Sequence, residues 1–281
     1  MSIFAYDMVV SSIEAFFEKH LAQGRAYFTR EEARVALGLS PHALSVALTR
    51  QVKKRRLARP WRGFYLILRP EDRAFGAPDP ARWIDPLMQY LQLDYRIALL
   101  RAAAFHGASH QAAMVFQVIV PRQMRGFEIG RQRLEFVYQR PQAFVQVNQT
   151  GWLGSLKSEA GFAKVAGLEL TLLDCARYFH KAAGINGLAQ IAKDLGGQAK
   201  PNDLAQIAVH YENSAVRRLG YLLERAGHVA QADALRPFVR QAKTAALLDP
   251  SVKPLVEGLP GLHEKAPGWR LILNESVEVD F

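Results

Sequence analysis

Three residues, Gly38-Leu39-Ser40, separate two strong helix signatures, and a gap that short forces the two helices to pack as a helix-turn-helix. Upstream, Thr29 stands three residues before Glu32, the spacing at which each side chain reaches the other's backbone N–H in a capping box. Ala33 and Leu37 give that helix an apolar side, and Gly38 is its natural stop. Downstream, Ser40 caps a third helix with Pro41 in the first turn, where a missing N–H costs nothing. Leu44, Ala47 and Leu48 face inward from it. A preceding helix over 12–22 sets Ile13, Phe16, Phe17 and Leu21 on one stripe, with Gly24 at its end. After the third helix, Trp61 to Leu68 reads as a hairpin whose tight turn needs Gly63. Residues 1–80 therefore read as a winged helix-turn-helix.

The outward side of the third helix carries His42, Ser45, Thr49 and Arg50, with Lys53, Lys54, Arg55 and Arg56 following. Short polar groups suit base edges in a major groove, and long basic ones suit phosphates. Arg59 and Arg62 add charge to the wing. From Ala33 to Pro70 there are nine Lys or Arg residues and no Asp or Glu, within a chain of net charge +10. Such a run repels itself, and bound phosphates relieve that repulsion. An ordinary solvated basic surface is the alternative, but a basic cluster beside capped helices, a short turn and a wing favours double-stranded DNA. Trp61 and Tyr65 invite a base-stacking role, and at least one of them is expected to be a strut packing the wing on the helices.

The chain has 281 residues, enough for two domains, and its 49% hydrophobic and 22% charged composition supplies cores for both. Cys175 is the only cysteine, so no disulfide forms within the chain, and its apolar neighbours predict an inert buried thiol. The N-terminus lacks the features of a signal peptide, and no window is apolar enough to span a bilayer. The expectation is a soluble, cytoplasmic protein without a membrane partner.

Residues 81–281 read as an α+β domain with an antiparallel-rich sheet and a helical cluster. Glu71–Pro80 looks like a linker. Strands are expected at Val115–Val120, Arg133–Tyr138 and Ala143–Val147, with 153–166 returning along the same sheet. Helices follow over Leu168–His180, 187–195, 202–210, Ser214–Ala226 and 231–241, and Trp269–Leu273 is a late strand able to join the earlier sheet. Chemistry is scarce here. His106 and His110 are four apart but lack a third ligand nearby, so no metal is expected. Asp174 reads as a buried hydrogen-bond partner for Arg177, Arg217 or Arg218, and Asn213 as a cap or turn residue. Gly196-Gly197 lacks the strand-glycine-helix setting of a nucleotide loop. No catalytic residue and no cofactor is assigned, and the chain is not read as an enzyme.

Three stretches, LARPWRGFY from Leu57, LELTLLDCARY from Leu168 and NSAVRRLGYLLE from Asn213, resemble the AbiEi-like family of type IV toxin–antitoxin antitoxins. The resemblance implies a transcriptional regulator that represses its own operon through promoter repeats. It also implies opposition to a nucleotidyltransferase-type toxin without a tight complex. On this chain, Ser40 to Lys53 is similar to the recognition-helix region and Arg59 to Phe64 to the wing. The helix from Ser214 to Ala226, with Arg217 and Arg218, is then a candidate functional surface of the antitoxin domain. Two other readings remain open at this point. A small-molecule-responsive winged-helix repressor calls for an apolar cavity, and an enzyme with an N-terminal nucleic-acid-binding module calls for converging polar side chains in a pocket.

Overall fold

The computed structural model describes residues 3–108, 115–158, 161–252 and 264–279. The chain divides into two compact units, each discontinuous in sequence. Met1–Tyr95, Met114–Tyr138 and Ser155–Lys164 make the first, and Arg96–Ala113, Gln139–Gly154 and Val165–Phe281 the second.

The first unit begins with α1 (Ile3–Ala22), β1 (Tyr27–Thr29), α2 (Arg30–Leu37), α3 (Pro41–Lys53), β2 (Leu57–Trp61) and β3 (Phe64–Ile67), with the small sheet ordered β1-β3-β2. This is the winged-helix order. Both expected caps form. The Glu32 N–H donates to Thr29 Oγ1 at 3.2 Å while Glu32 Oε2 accepts from the Thr29 N–H at 2.6 Å, and the Ala43 N–H donates to Ser40 Oγ at 3.3 Å. Gly38 takes the left-handed φ of +60° that ends α2. Ile13, Phe16, Phe17, Phe28, Leu44 and Leu48 fill the core with Tyr65 and Ile67. Phe28 and Tyr65, paired across β1 and β3, stack at 5.4 Å, so Tyr65 is the expected strut.

The β2/β3 register shifts between Ala58 and Trp61, where Pro60 has no N–H to offer the ladder. Arg62-Gly63 closes the hairpin. Gly63 has a φ of +83°, and a Cβ there would lie 2.5 Å from the Tyr90 hydroxyl. That hydroxyl donates to the Arg62 carbonyl at 3.1 Å, holding the wing tip on the helix that ends at Tyr90.

The Glu71–Pro80 segment is more than a linker. It contains one helical turn, α4 (Pro70–Arg73), and leads through a 3-10 turn at Pro80–Arg82 to α5 (Ile84–Tyr90). The Arg131 N–H donates to the Phe75 carbonyl at 2.9 Å. There Gly76 and Gly130 approach so closely that a Cβ on Gly130 would sit 2.0 Å from the Phe75 carbonyl. Trp83 is buried, its indole N–H donating to the Pro78 carbonyl at 2.9 Å.

In the second unit, β4 (Arg96–Ile97) leads into α6 (Leu99–Phe105). Of the strands that follow, β5 (Val115–Val120), β6 (Phe127–Ile129) and β7 (Gln132–Tyr138) lie in the first unit. Next come α7 (Pro141–Val147), β8 (Leu153–Ser158) and β9 (Gly161–Ala166). Pairing is mixed. β5 runs parallel to β7 because β6 doubles back against β7 between them, and β4 runs parallel to β9 through Ile97 and Val165. The strand expected at Ala143–Val147 is a helix instead. Pro141 starts it, and Phe144 and Val147, three apart, turn inward together, a spacing that β alternation cannot satisfy.

The helical cluster comprises α8 (Leu168–Arg177), α9 (Gly184–Leu195), α10 (Pro201–Ala208), α11 (Asn213–Arg225) and α12 (Val229–Gln241). A separate small sheet ends the described chain, with β10 (Ala246–Leu247), β12 (Leu271–Leu273) and β11 (Glu264–Ala266) side by side in that order. The late strand therefore pairs with its own neighbours rather than joining the earlier strands. Gly220 explains the glycine in the Arg-Leu-Gly-Tyr-Leu-Leu helix. A Cβ there would fall 2.2 Å from the ring of the buried Trp269, whose indole N–H donates to Glu224 Oε2 at 2.6 Å. No described helix is long and apolar enough to cross a membrane.

Candidate nucleic-acid interface

α3 turns Leu44, Leu48 and Gln51 into the core and leaves the opposite side outward. His42, Thr49, Arg50, Lys53 and Lys54 are exposed on that side, and Ser45 is half-buried. The chain leaves α3 through Arg55, exposed and in the left-handed region at φ +53°. Arg59 and Arg62 are exposed on the wing. One basic residue differs from expectation. Arg56 is half-buried and ion-paired to Glu14 of α1, so it ties the end of α3 to α1 rather than standing ready for phosphate. That pairing holds the Glu14 carboxyl below its ordinary value. Trp61 is half-buried with its ring 6.0 Å from Phe127, a packing contact.

The expected surface at Arg217 and Arg218 is overturned. Both are 4% exposed, because α11 is enclosed on nearly every side and these guanidinium groups reach backbone carbonyls inside the fold. Arg217 Nη1 donates to the Arg270 carbonyl at 2.8 Å and the Thr244 carbonyl at 3.2 Å. Arg218 Nε donates to the Leu248 carbonyl at 2.6 Å, Nη1 to the Ala176 carbonyl at 3.3 Å, and the group lies 4.7 Å over the Phe179 ring. Burial pushes the Arg218 guanidinium down to about 10. These arginines staple the tail sheet to the helical cluster.

Asp174 is buried as expected, but its cation is Arg96, which no pattern in the sequence singles out. Both are 0% exposed and pair in two parallel bonds, Nε to Oδ2 at 2.9 Å and Nη2 to Oδ1 at 2.8 Å. The Tyr211 hydroxyl donates to Asp174 Oδ1 at 2.7 Å, and Gln139 Oε1 accepts from Arg96 Nη2 at 2.8 Å. Burial alone pushes the Arg96 guanidinium down, and the Asp174 carboxylate more than offsets it. Burial first, then Asp174, drives the Tyr211 hydroxyl well above its ordinary value. A fork-on-carboxylate pair sealed from water locks a β-strand start to a helix; it offers no exchangeable proton to a substrate. Arg177 pairs with Glu212 instead, at 2.7 Å.

The remaining candidate residues hold structural places. Asn213 is the first residue of α11, and its Nδ2 donates to the Phe238 carbonyl of α12 at 2.7 Å. Cys175 is buried, and burial pushes its thiol well above the ordinary value, which disfavours the reactive thiolate. His106 Nε2 is 2.8 Å from the Ala166 carbonyl, while His110 lies outside the described residues. Among the described residues no group of three His, Cys, Asp or Glu is placed to hold a metal ion.

Residues 96–225 match the family described as the AbiEi antitoxin C-terminal domain. A crystal structure of the RV2827C protein from Mycobacterium tuberculosis is similar, with a TM-score of 0.64 at 16% identity over 94% of this chain and 91% of that one. At that identity the likeness speaks for the fold alone. No curated protein matches the sequence. The matched segment opens on the buried Arg96, takes in Asp174 and Tyr211, and ends at the last residue of α11. That stretch of the chain is similar to the C-terminal domain of the AbiEi antitoxins.

Proposed function

We propose that this protein is an autorepressor and antitoxin whose N-terminal winged helix binds operator DNA in its own promoter. Its second activity is to counter a nucleotidyltransferase-type toxin without a tight complex. The observation that carries the DNA reading is the outward side of α3, where His42, Thr49, Arg50, Lys53 and Lys54 are exposed together beside a wing bearing Arg59 and Arg62. In this reading α3 lies in the major groove. His42, Ser45 and Thr49 approach base edges, while Arg50, Lys53, Lys54, Arg55, Arg59 and Arg62 neutralise phosphates. Residues 1–80 supply DNA binding and residues 81–281 the antitoxin activity, and the family match at 96–225 lies within the second stretch.

The antitoxin half is tested by expressing the product of the neighbouring gene alone, with the intact chain, and with a chain carrying Lys53→Gln, Lys54→Gln and Arg59→Gln. The expected result is growth arrest relieved by both forms when each is driven from an unrelated promoter, because the two activities use different residues. Arrest relieved by neither form contradicts the antitoxin reading. Relief by the intact chain only contradicts the separation of roles.

A further inference from the structure

The wing and α2 line a groove of about 960 Å³, of which the proposed interface uses the wing arginines but not the α2 side. Four arginines line it, Arg30, Arg34, Arg59 and Arg62, against one acid, Glu31. We infer that this groove carries a second stretch of phosphodiester backbone from the duplex that α3 reads, with Glu31 restraining the affinity by occupying Arg34. The inference rests on the DNA-binding reading and extends it to residues outside the recognition helix.

Two hydrogen bonds fix the groove beside α3. The Arg30 N–H donates to the Gly63 carbonyl at 2.7 Å, which joins the start of α2 to the turn of the wing. Arg30 Nη2 donates to the Pro41 carbonyl at 3.1 Å, which brings its exposed guanidinium to the first turn of α3, next to His42. A strand passing the N-terminal end of α3 therefore meets Arg30 first and the wing arginines beyond it. Guanidinium groups suit this occupant, because their planar fork matches two phosphate oxygens at once. Several cations in one concavity also concentrate a polyanion's field.

Glu31 is the exception that makes the inference testable. Its carboxylate takes Arg34 in a forked pair, Nη2 to Oε1 at 2.6 Å and Nε to Oε2 at 2.9 Å. Hydrogen bonding to Arg34 holds the Glu31 carboxyl below its ordinary value, so it is an anion at neutral pH. Both side chains are more than half exposed, at 51% for Arg34 and 67% for Glu31, so the pair itself is weak and Arg34 is transferable to a phosphate.

The test is a fluorescence-anisotropy titration of the full chain against a labelled duplex from its own upstream region, across a salt series. Arg30→Gln is expected to weaken binding to operator and random duplex alike and to flatten the log–log salt slope by about 0.9, one released counterion. Glu31→Gln is expected to tighten binding about two- to fivefold on both duplexes, the effect of freeing one exposed cation. Adding Arg34→Gln to Glu31→Gln is expected to abolish the gain. Lys53→Gln on α3 separates the two levels of the argument. If it weakens binding while Arg30→Gln and Glu31→Gln change neither affinity nor slope, the groove is not on the DNA path and this inference falls alone. If Lys53→Gln also changes nothing, the DNA-binding reading falls with it. A free nucleoside triphosphate that binds more tightly to Glu31→Gln, with duplex affinity unchanged, likewise overturns the inference in favour of a small phosphorylated ligand. Unchanged melting temperatures of all variants exclude misfolding as the cause.

Discussion

Replacing Asp174 with asparagine keeps the side chain's shape and removes the carboxylate paired with Arg96 in the second unit. Both groups are 0% exposed, so no water takes over from the lost carboxylate. Asparagine presents one acceptor and one donor where the guanidinium Nε and Nη2 now find two acceptors at 2.9 and 2.8 Å. One N–H of the fork then faces an N–H, and a full positive charge is left in a low-dielectric site. Breaking a buried pair in this way costs about 3–5 kcal/mol. For a unit of this size each kcal/mol lowers the melting temperature by about 2–4 °C, so Asp174→Asn should melt about 6–20 °C below the parent. Replacing both charges, with Arg96→Met and Asp174→Leu, should recover part of that loss, because no unpaired ion remains. Recovery stays incomplete because the Tyr211 hydroxyl also loses its acceptor. Thermal melting followed by circular dichroism, with urea titration for the free energy, reads both effects. A single variant within about 1 kcal/mol of the parent would refute the argument that this pair is a structural lock. A variant of parental stability that no longer relieves toxicity would instead make Asp174 a functional residue.

Other consequences are smaller. Thr29→Ala and Ser40→Ala each remove a side-chain acceptor from a helix N-terminus and should cost about 1 kcal/mol in urea unfolding, with serine at position 29 restoring most of it. Arg218→Ala strands the Leu248 and Ala176 carbonyls and should cost about 1–3 kcal/mol. Arg218→Lys should rescue it only in part, since a single ammonium cannot copy the fork; unchanged melting of Arg218→Ala with loss of antitoxin activity would return Arg218 to the functional-surface role the sequence suggested. Burial raises the Glu32 carboxyl, but hydrogen bonds from Arg25 and from Thr29 outweigh that and hold it below its ordinary 4.5. Its stabilising contribution is therefore complete above pH 4.5 and lost as pH falls through the lowered value, so Glu32→Gln should flatten the acid limb of a stability–pH curve.

What the sequence disclosed was what depends on near neighbours. The box from Thr29 to Glu32, the Ser40-Pro41 start and the Gly38 stop are local hydrogen bonds and backbone angles, so spacing alone reveals them. Periodicity found α8 and α11 but not which of their polar residues pair. Asp174 was correctly placed inside, yet its partner, Arg96, lies 78 residues away on a strand of only two residues, too short to leave a pattern. Arg217 and Arg218 misled because charge normally marks a surface. Here the carbonyls of Thr244, Leu248 and Arg270 draw both guanidinium groups inward, and no pattern in α11 announces that. α7 was misread because Phe144, Val145 and Val147 are good strand formers, and the i, i+3 burial of Phe144 and Val147 prevailed. The wing arginines were legible as charge, whereas the groove they share with Arg30 and Arg34 exists only once Gly63 is bonded to the start of α2.

The most direct test of the central claim compares the salt dependence of binding by the intact protein and by a Lys53→Gln, Lys54→Gln, Arg59→Gln variant. Each is titrated against the upstream duplex and a scrambled duplex of equal length. The account predicts preferential binding of the upstream duplex by the parent, with affinity falling steeply as salt rises. For the variant it predicts weaker binding to both duplexes and a salt slope shallower by about 2.7, three phosphate contacts at about 0.9 each. Parent and variant curves that coincide on both duplexes would contradict a DNA-binding role for the α3 face and the wing.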